Sequence, residues 1–159
     1  MKSLECRKLT AEWKQPLVAF LKVLEEDQND ASFFHPHGSS EADIENILQN
    51  AQKDLYYVLV EEQEVLGYGV LRGWDEGYEI PSLGIAIHPR MRGVGLGKAF
   101  MYFLHTATAL RGANKVRLRV KVDNVRAIKL YQSLGYFFAT QEESYLVGTL
   151  DLHTRKHDN

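Results

Sequence analysis

The 159-residue chain has little of several things, and each shortage excludes something. A single cysteine, Cys6, rules out an intramolecular disulfide. No apolar run reaches membrane-spanning length, and no N-terminal apolar segment resembles a signal peptide. With 19 Lys and Arg against 21 Asp and Glu, the chain has almost no net charge. It lacks the global field that draws a protein to nucleic acid, so any anion must be bound locally. Four prolines, no repeat and no low-complexity stretch leave no linker. The expectation is one α/β domain over residues 1–152 with a polar tail at 153–159, working in the cytoplasm without membrane or nucleic acid. A chain of this length buries roughly 70% of its unfolded surface without needing staples.

What the chain does have is concentrated in one stretch. Ile85-Ala-Ile is an apolar strand that Pro89 stops. Arg92-Gly93-Val94-Gly95-Leu96-Gly97-Lys98 follows, and a helical pattern begins at once. A glycine turn between a strand and a helix start presents free backbone N–H groups to an anion. Arg92 and Lys98 add positive charge. The stretch therefore reads as a diphosphate site.

Upstream, Leu4 to Leu9 is a weak strand, and Thr10 is placed to cap a helix carrying Trp13, Leu17, Phe20, Leu21 and Leu24. Ser40 and Asp43 form a capping box for a second helix with Ile44, Ile47 and Leu48 inward. Between these helices lies Phe33-Phe34-His35-Pro36-His37-Gly38, which reads equally as a substrate lid or a hydrophobic anchor. Its histidines lack companions at metal-ligand spacing, so no metal is expected. Tyr56–Val60, Val65–Leu71 and Glu79–Ile87 form an antiparallel meander. Gly84 inside its third strand marks a bulge. Trp74 and Tyr78 sit in the turn before Glu79, where they line an acceptor pocket or are ordinary aromatics.

Downstream, Leu96 to Leu110 is helical, with Leu96, Phe100, Phe103, Leu104 and Ala107 inward. Val116–Val122 alternates apolar residues with Arg117, Arg119 and Lys121, whose face is either solvated or a positive wall for an anionic acceptor. Val125–Leu134 is a helix, and Tyr136–Thr140 with Tyr145–Leu150 a last strand pair. The order β-α-α-β-β-β-α-β-α-β-β is a mixed sheet with one parallel crossover.

Arg92, Gly95 and Gly97 fall as Arg-x-x-Gly-x-Gly. Asn124, Ala127, Leu130, Tyr131, Leu134, Gly135 and Tyr136 follow as Asn, Ala, then Leu-Tyr-x-x-Leu-Gly-aromatic. Both motifs, in this order with a strand between, resemble the GNAT superfamily of acetyl-coenzyme-A-dependent N-acetyltransferases. The resemblance implies that fold, with two parallel strands splayed at a cofactor cleft, and acetyl-CoA as the acyl donor. It implies that Arg92 to Lys98 hold the diphosphate and that the backbone of Ile85, Ala86 and Ile87 serves the pantetheine arm. Asn124 and Ala127 lie beside that arm, and Tyr131 is the acid that protonates the leaving thiolate. Asn124 and Tyr131 are seven residues apart, two helical turns, which is consistent with a shared face.

The proton acceptor is left among Glu79, first as the carboxylate on the strand before the turn, then His37 and His35. Phe34, His35, His37 and Trp74 are expected to line the acceptor site. The reading is acetyl transfer to a primary amine of a small molecule, such as an amino sugar. A protein N-terminus or lysine is the second acceptor class, and a non-catalytic acyl-CoA-binding module the second kind of function. Family habit also allows a homodimer through the last strands.

Overall fold

The computed structural model describes residues 2–27 and 36–152. Phe33, Phe34, His35 and the tail 153–159 lie outside the described residues. β1 (Leu4–Lys8) leads through a 3-10 turn at Ala11–Trp13 into α1 (Lys14–Glu26), and α2 spans Glu41–Asn50. The meander is β2 (Leu55–Glu61), β3 (Glu64–Arg72) and β4 (Ser82–Ile87). After it come α3 (Leu96–Leu110), β5 (Lys115–Lys121), α4 (Val125–Ser133), β6 (Phe137–Glu142) and β7 (Tyr145–Asp151). The seven strands form one sheet in the order β1-β2-β3-β4-β5-β7-β6. All neighbours pair antiparallel except β4 and β5, which are parallel.

The alternation of side chains gives the sheet two apolar faces. Tyr56, Val58, Tyr68, Val70 and Ala86 meet Leu17, Phe20, Leu21 and Leu24 of α1 and Ile44 of α2. On the other face Leu59, Leu71, Leu83, Val116, Leu118 and Val120 meet Phe100, Met101 and Leu104 of α3, with Tyr131 and Leu134 beside them. β3 has to come close to α3, and glycine permits it. A Cβ at Gly69 would stand 2.7 Å from Phe100 Cζ and 2.9 Å from Leu104 Cδ1. The Ser40–Asp43 capping box forms, with Asp43 N–H donating to Ser40 Oγ (3.1 Å) and Ser40 N–H to Asp43 Oδ2 (3.0 Å).

Several expectations are corrected. Thr10 stays extended ahead of the 3-10 turn, and its side chain makes no capping bond. Phe103 is at the rim of α3, edge-on to Tyr57 at 5.0 Å, while Met101, His105 and Thr108 take buried positions. No bulge forms at Gly84, since the β3–β4 register runs unbroken from Gly67↔Ile87 to Arg72↔Ser82. β4 is also shorter than expected. Glu79 is outside it, in the bend that precedes Ser82.

The parallel ladder between β4 and β5 has one residue pair, Ser82↔Arg117, with Arg117 N–H donating to Pro81 C=O (3.0 Å). β5 meanwhile pairs along its whole length with β7, from Lys115↔Asp151 to Lys121↔Tyr145. The two parallel strands therefore part after Ser82. Among the described residues no helix is long and apolar enough to cross a membrane.

Gly69→Ala is expected to lower stability by about 1–3 kcal/mol through overpacking against Phe100 and Leu104. A urea titration should show an earlier midpoint with the slope unchanged.

Candidate functional site

The parting of β4 and β5 leaves backbone exposed to the gap. His88 N–H donates to Leu66 C=O (2.8 Å), so the even-numbered residues of β4 turn their amides toward β3. Arg117 reaches the carbonyl of Pro81, so the odd-numbered ones face β5. Beyond the single Ser82↔Arg117 pair, Ile85 and Ile87 have no ladder partner on that side. Ala86, expected to share in this rail, turns its amide to β3 instead. Arg119 and Lys121 of β5 face the same gap by the same alternation.

β4 runs directly into the glycine turn. After a 3-10 turn at Pro89–Met91, Gly93 (φ 79°) and Gly95 (φ 84°) are left-handed, a conformation that side chains rarely adopt. A Cβ on either would meet nothing within 4 Å, so the turn is open to solvent. Ala99 N–H donates to Gly95 C=O (3.1 Å). The N–H groups of Leu96, Gly97 and Lys98 stand ahead of it without intrahelical acceptors. Val94 and Lys98 are exposed, and Leu96 turns its side chain into the core. Arg92 is half-buried and ion-paired to Asp27 at the end of α1 (3.0 Å). Unpaired strand edge, left-handed glycines and free helix N–H groups suit an extended amide-bearing arm that ends in a diphosphate.

α4 covers the opposite wall. Asn124 is its N-cap, and its side-chain oxygen accepts from Ala127 N–H (3.3 Å). Helix capping thus explains Asn124 and Ala127 locally. The Tyr131 ring packs 5.7 Å from Tyr136, and burial pushes its phenol up to about 12. It is therefore a protonated hydroxyl throughout the neutral range. The Tyr136 hydroxyl shares a hydrogen bond with His105 Nε2 (2.7 Å), on a neutral imidazole whose pKa burial drives down to about 4. Nothing in sequence periodicity marked His105, since a polar residue on an apolar helix face reads as noise until its partner is found.

On the α1/α2 face, His37 sits on the meander. Its Nδ1 donates to Gly38 C=O (2.6 Å), and its Nε2 accepts from Tyr68 O–H (2.7 Å). The carbonyl can only accept, which settles the tautomer. Burial lowers the His37 pKa, and the nearby Arg72 charge adds to the shift. Arg72 Nη1 donates to the Pro36 carbonyl, which seats this end of the α1–α2 connection on β3.

Trp74 and Glu79 come together, but elsewhere. They line a cavity of about 670 Å³ with Lys53, Tyr78, Arg111 and Lys115. Arg111 lies over the Trp74 ring at 5.2 Å. The cavity is at the C-terminal end of α3, whose 15 residues span roughly 22 Å from the glycine turn. Glu79 is exposed there rather than on the strand, because the chain bends before Ser82. Among the described residues no group of three His, Cys, Asp or Glu is placed to hold a metal ion.

Comparison with known proteins agrees with this geometry. Residues 18–136 match the family model described as acetyltransferase (GNAT) family. An N-acetyltransferase from Staphylococcus aureus Mu50 superposes with a TM-score of 0.75 at 17% identity, over 95% of this chain and 99% of that one. The PaiA N-acetyltransferase from Thermoplasma acidophilum, solved in complex with coenzyme A, gives 0.75 at 17%, over 94% and 99%. The ribosomal-protein-S18-alanine N-acetyltransferase from Escherichia coli gives 0.68 at 20%, over 100% and 99%.

The buried His105 makes stability fall in acid. Its folded pKa is below the unfolded value near 6.5, so below pH 6.5 the unfolded chain binds the extra proton. This contribution is complete above pH 6.5 and shrinks as pH drops toward 4. At pH 5 the loss from His105 is about 2 kcal/mol. Denaturant titrations at pH 7.5 and pH 5 should show that difference, and His105→Gln should reduce it.

Proposed function

The chain belongs to the GNAT acetyltransferase family and is an acetyl-CoA-dependent N-acetyltransferase, and we propose that its acceptor is a primary amine of a small molecule, amino sugars among the candidates. The observation that supports acetyl-CoA as the donor is the fork between β4 and β5, open from Ser82 and continuous with the glycine turn, while the short loops favour a small acceptor. The catalytic unit is the single domain of residues 1–152, acting in the cytoplasm.

Acetyl-coenzyme A would supply a thioester whose carbonyl carbon the amine attacks, with the thiol of coenzyme A leaving. Gly93 to Lys98 hold the diphosphate by backbone N–H groups and Arg92 by its charge, a role in which the diphosphate competes with Asp27 for the guanidinium. Ile85 and Ile87 pair with the arm's amides. The N–H of Ile85 donates to the carbonyl oxygen as negative charge builds on it. Tyr131 keeps its proton because of burial, and its hydroxyl donates toward the departing sulfur.

His37 takes the amine proton at Nε2, exchanging the Tyr68 hydrogen bond for it. His37 and the fork share the meander, whereas Glu79 stands at the far end of α3 and receives no proton in this scheme. The lowered His37 pKa keeps the ring neutral, and so able to accept, below the usual histidine range.

Coenzyme A binding by calorimetry, followed by amine-dependent release of free thiol, tests the reading. Absence of coenzyme A binding overturns it. Binding without thiol release from any amine makes the protein an acyl-CoA-binding module. Tyr131→Phe should lower kcat by roughly 10²–10⁴ with coenzyme A affinity held. For the wild type, kcat/KM should fall with pH only below about 6.5, the usual histidine value. His37→Gln should remove that acid limb, and an unaltered limb would hand the proton to solvent.

A further inference from the structure

Three strands place two arginines in one row at the closed end of the fork, where β4 and β5 still pair. Arg72 of β3 pairs with Ser82 of β4, and Ser82 pairs with Arg117 of β5. Residues paired directly across a sheet point to the same face. The row is on the α1/α2 face, since Tyr68 and Val70 precede Arg72 there at the two-residue period. Strand spacing sets the Arg72 and Arg117 backbones roughly 10 Å apart, with the Ser82 hydroxyl between them. The next residue on this face of β4 is Gly84, which adds no side chain.

Neither arginine has a carboxylate partner among the described residues. Lys115 pairs with Asp151 (3.5 Å), and Arg119 approaches Glu142 (3.8 Å) while covering the Tyr145 ring at 4.4 Å. Arg117, between them, is left without an acid. Arg72 has acids nearby, but they are committed to backbone. Asp54 Oδ1 accepts from the N–H groups of Gly73 (3.0 Å) and Asp75 (3.1 Å). Asp75 accepts from those of Gln52, Lys53 and Asp54. Arg72 Nη1 serves Pro36 and the guanidinium stands beside the Tyr56 phenol, while its Nε is buried and donates to no described residue. A buried charged donor without an acceptor is costly, and a ligand anion is the group that relieves it.

We propose that Arg72, Ser82 and Arg117 form an anion-binding subsite for the acceptor, so that the enzyme acetylates amines that also carry a carboxylate or phosphate. This rests on the acetyl-transfer reading above and adds the acceptor's class to it. Ser82 and Ile85 are three residues apart, roughly 10 Å along β4. The arginine side chains reach over part of that distance, so amine and acid are several bonds apart. An ω-amino acid or an amino-sugar phosphate fits this spacing better than an α-amino acid. The two guanidinium groups also create a positive field that favours the neutral, nucleophilic form of the amine.

The test compares matched acceptors: 4-aminobutyrate with butylamine, and glucosamine 6-phosphate with glucosamine. Binding to the coenzyme-A-loaded protein is measured by calorimetry, and turnover by thiol release. The charged member of at least one pair should bind roughly 10- to 100-fold more tightly. The pair that discriminates tells carboxylate from phosphate. Arg117→Gln, at a half-exposed site with no side-chain partner among the described residues, should bring the charged-to-neutral ratio of both binding and turnover toward one, with coenzyme A affinity retained; Arg72→Gln, which also unseats Pro36 beside His37, is read from the binding ratio alone. Equal binding within both pairs, or a loss in the variants shared by charged and neutral members, overturns the subsite. Preferential binding of the anion without thiol release keeps the subsite and sinks the acetyl-transfer reading instead.

Discussion

The separation of two parallel strands after a single shared residue pair governs the rest of the molecule. β5 takes its ladder from β7 and gives β4 only the contact at Ser82 and Arg117. An unpaired strand edge inside a sheet is ordinarily a liability, because its N–H and C=O groups lose water without gaining partners. Here the same groups line an open fork, and the proposed function gives them a ligand that brings its own amides. The α3 face closes around Phe100, Met101 and Leu104 beneath the fork, so the opening is held by a packed core.

Everything placed around the fork uses local chemistry to hold its position. The glycine turn begins where β4 ends, and its left-handed residues aim the first amides of α3 outward. Asn124 caps α4, the helix that carries Tyr131. Tyr136 and His105 form a buried hydrogen-bonded pair against which the Tyr131 ring rests. On the opposite face, the Pro36–His37 segment is pinned to β3 through Arg72 and Tyr68. The link between Arg92 and Asp27 joins the glycine turn to the end of α1.

Charge is distributed with equal economy. The protein as a whole is nearly neutral, yet Arg72 and Arg117 occupy one strand row while the nearby carboxylates are engaged elsewhere. Asp54 and Asp75 satisfy backbone amides in loops, a local task that keeps them from neutralising Arg72. A positive locus in a neutral protein acts only over a short range.

The order of elements, the membership of both apolar faces in α1 and β5, the capping box and the glycine turn were legible in the sequence because each depends on neighbours within a few residues. Periodicity could not see Glu79 leave the strand, since the bend before Ser82 depends on how the loop is tied down by Asp54 and Asp75. It also could not tell which of Ile85, Ala86 and Ile87 face the gap, because that parity is set by hydrogen bonds to β3 and β5. Nor could it separate the charged face of β5 into paired and unpaired members. Local order is dictated by side-chain spacing and backbone preference. The fork, the Arg72–Ser82–Arg117 row and the His105–Tyr136 pair join residues about thirty or more positions apart, or depend on register between strands. Only tertiary packing chose them.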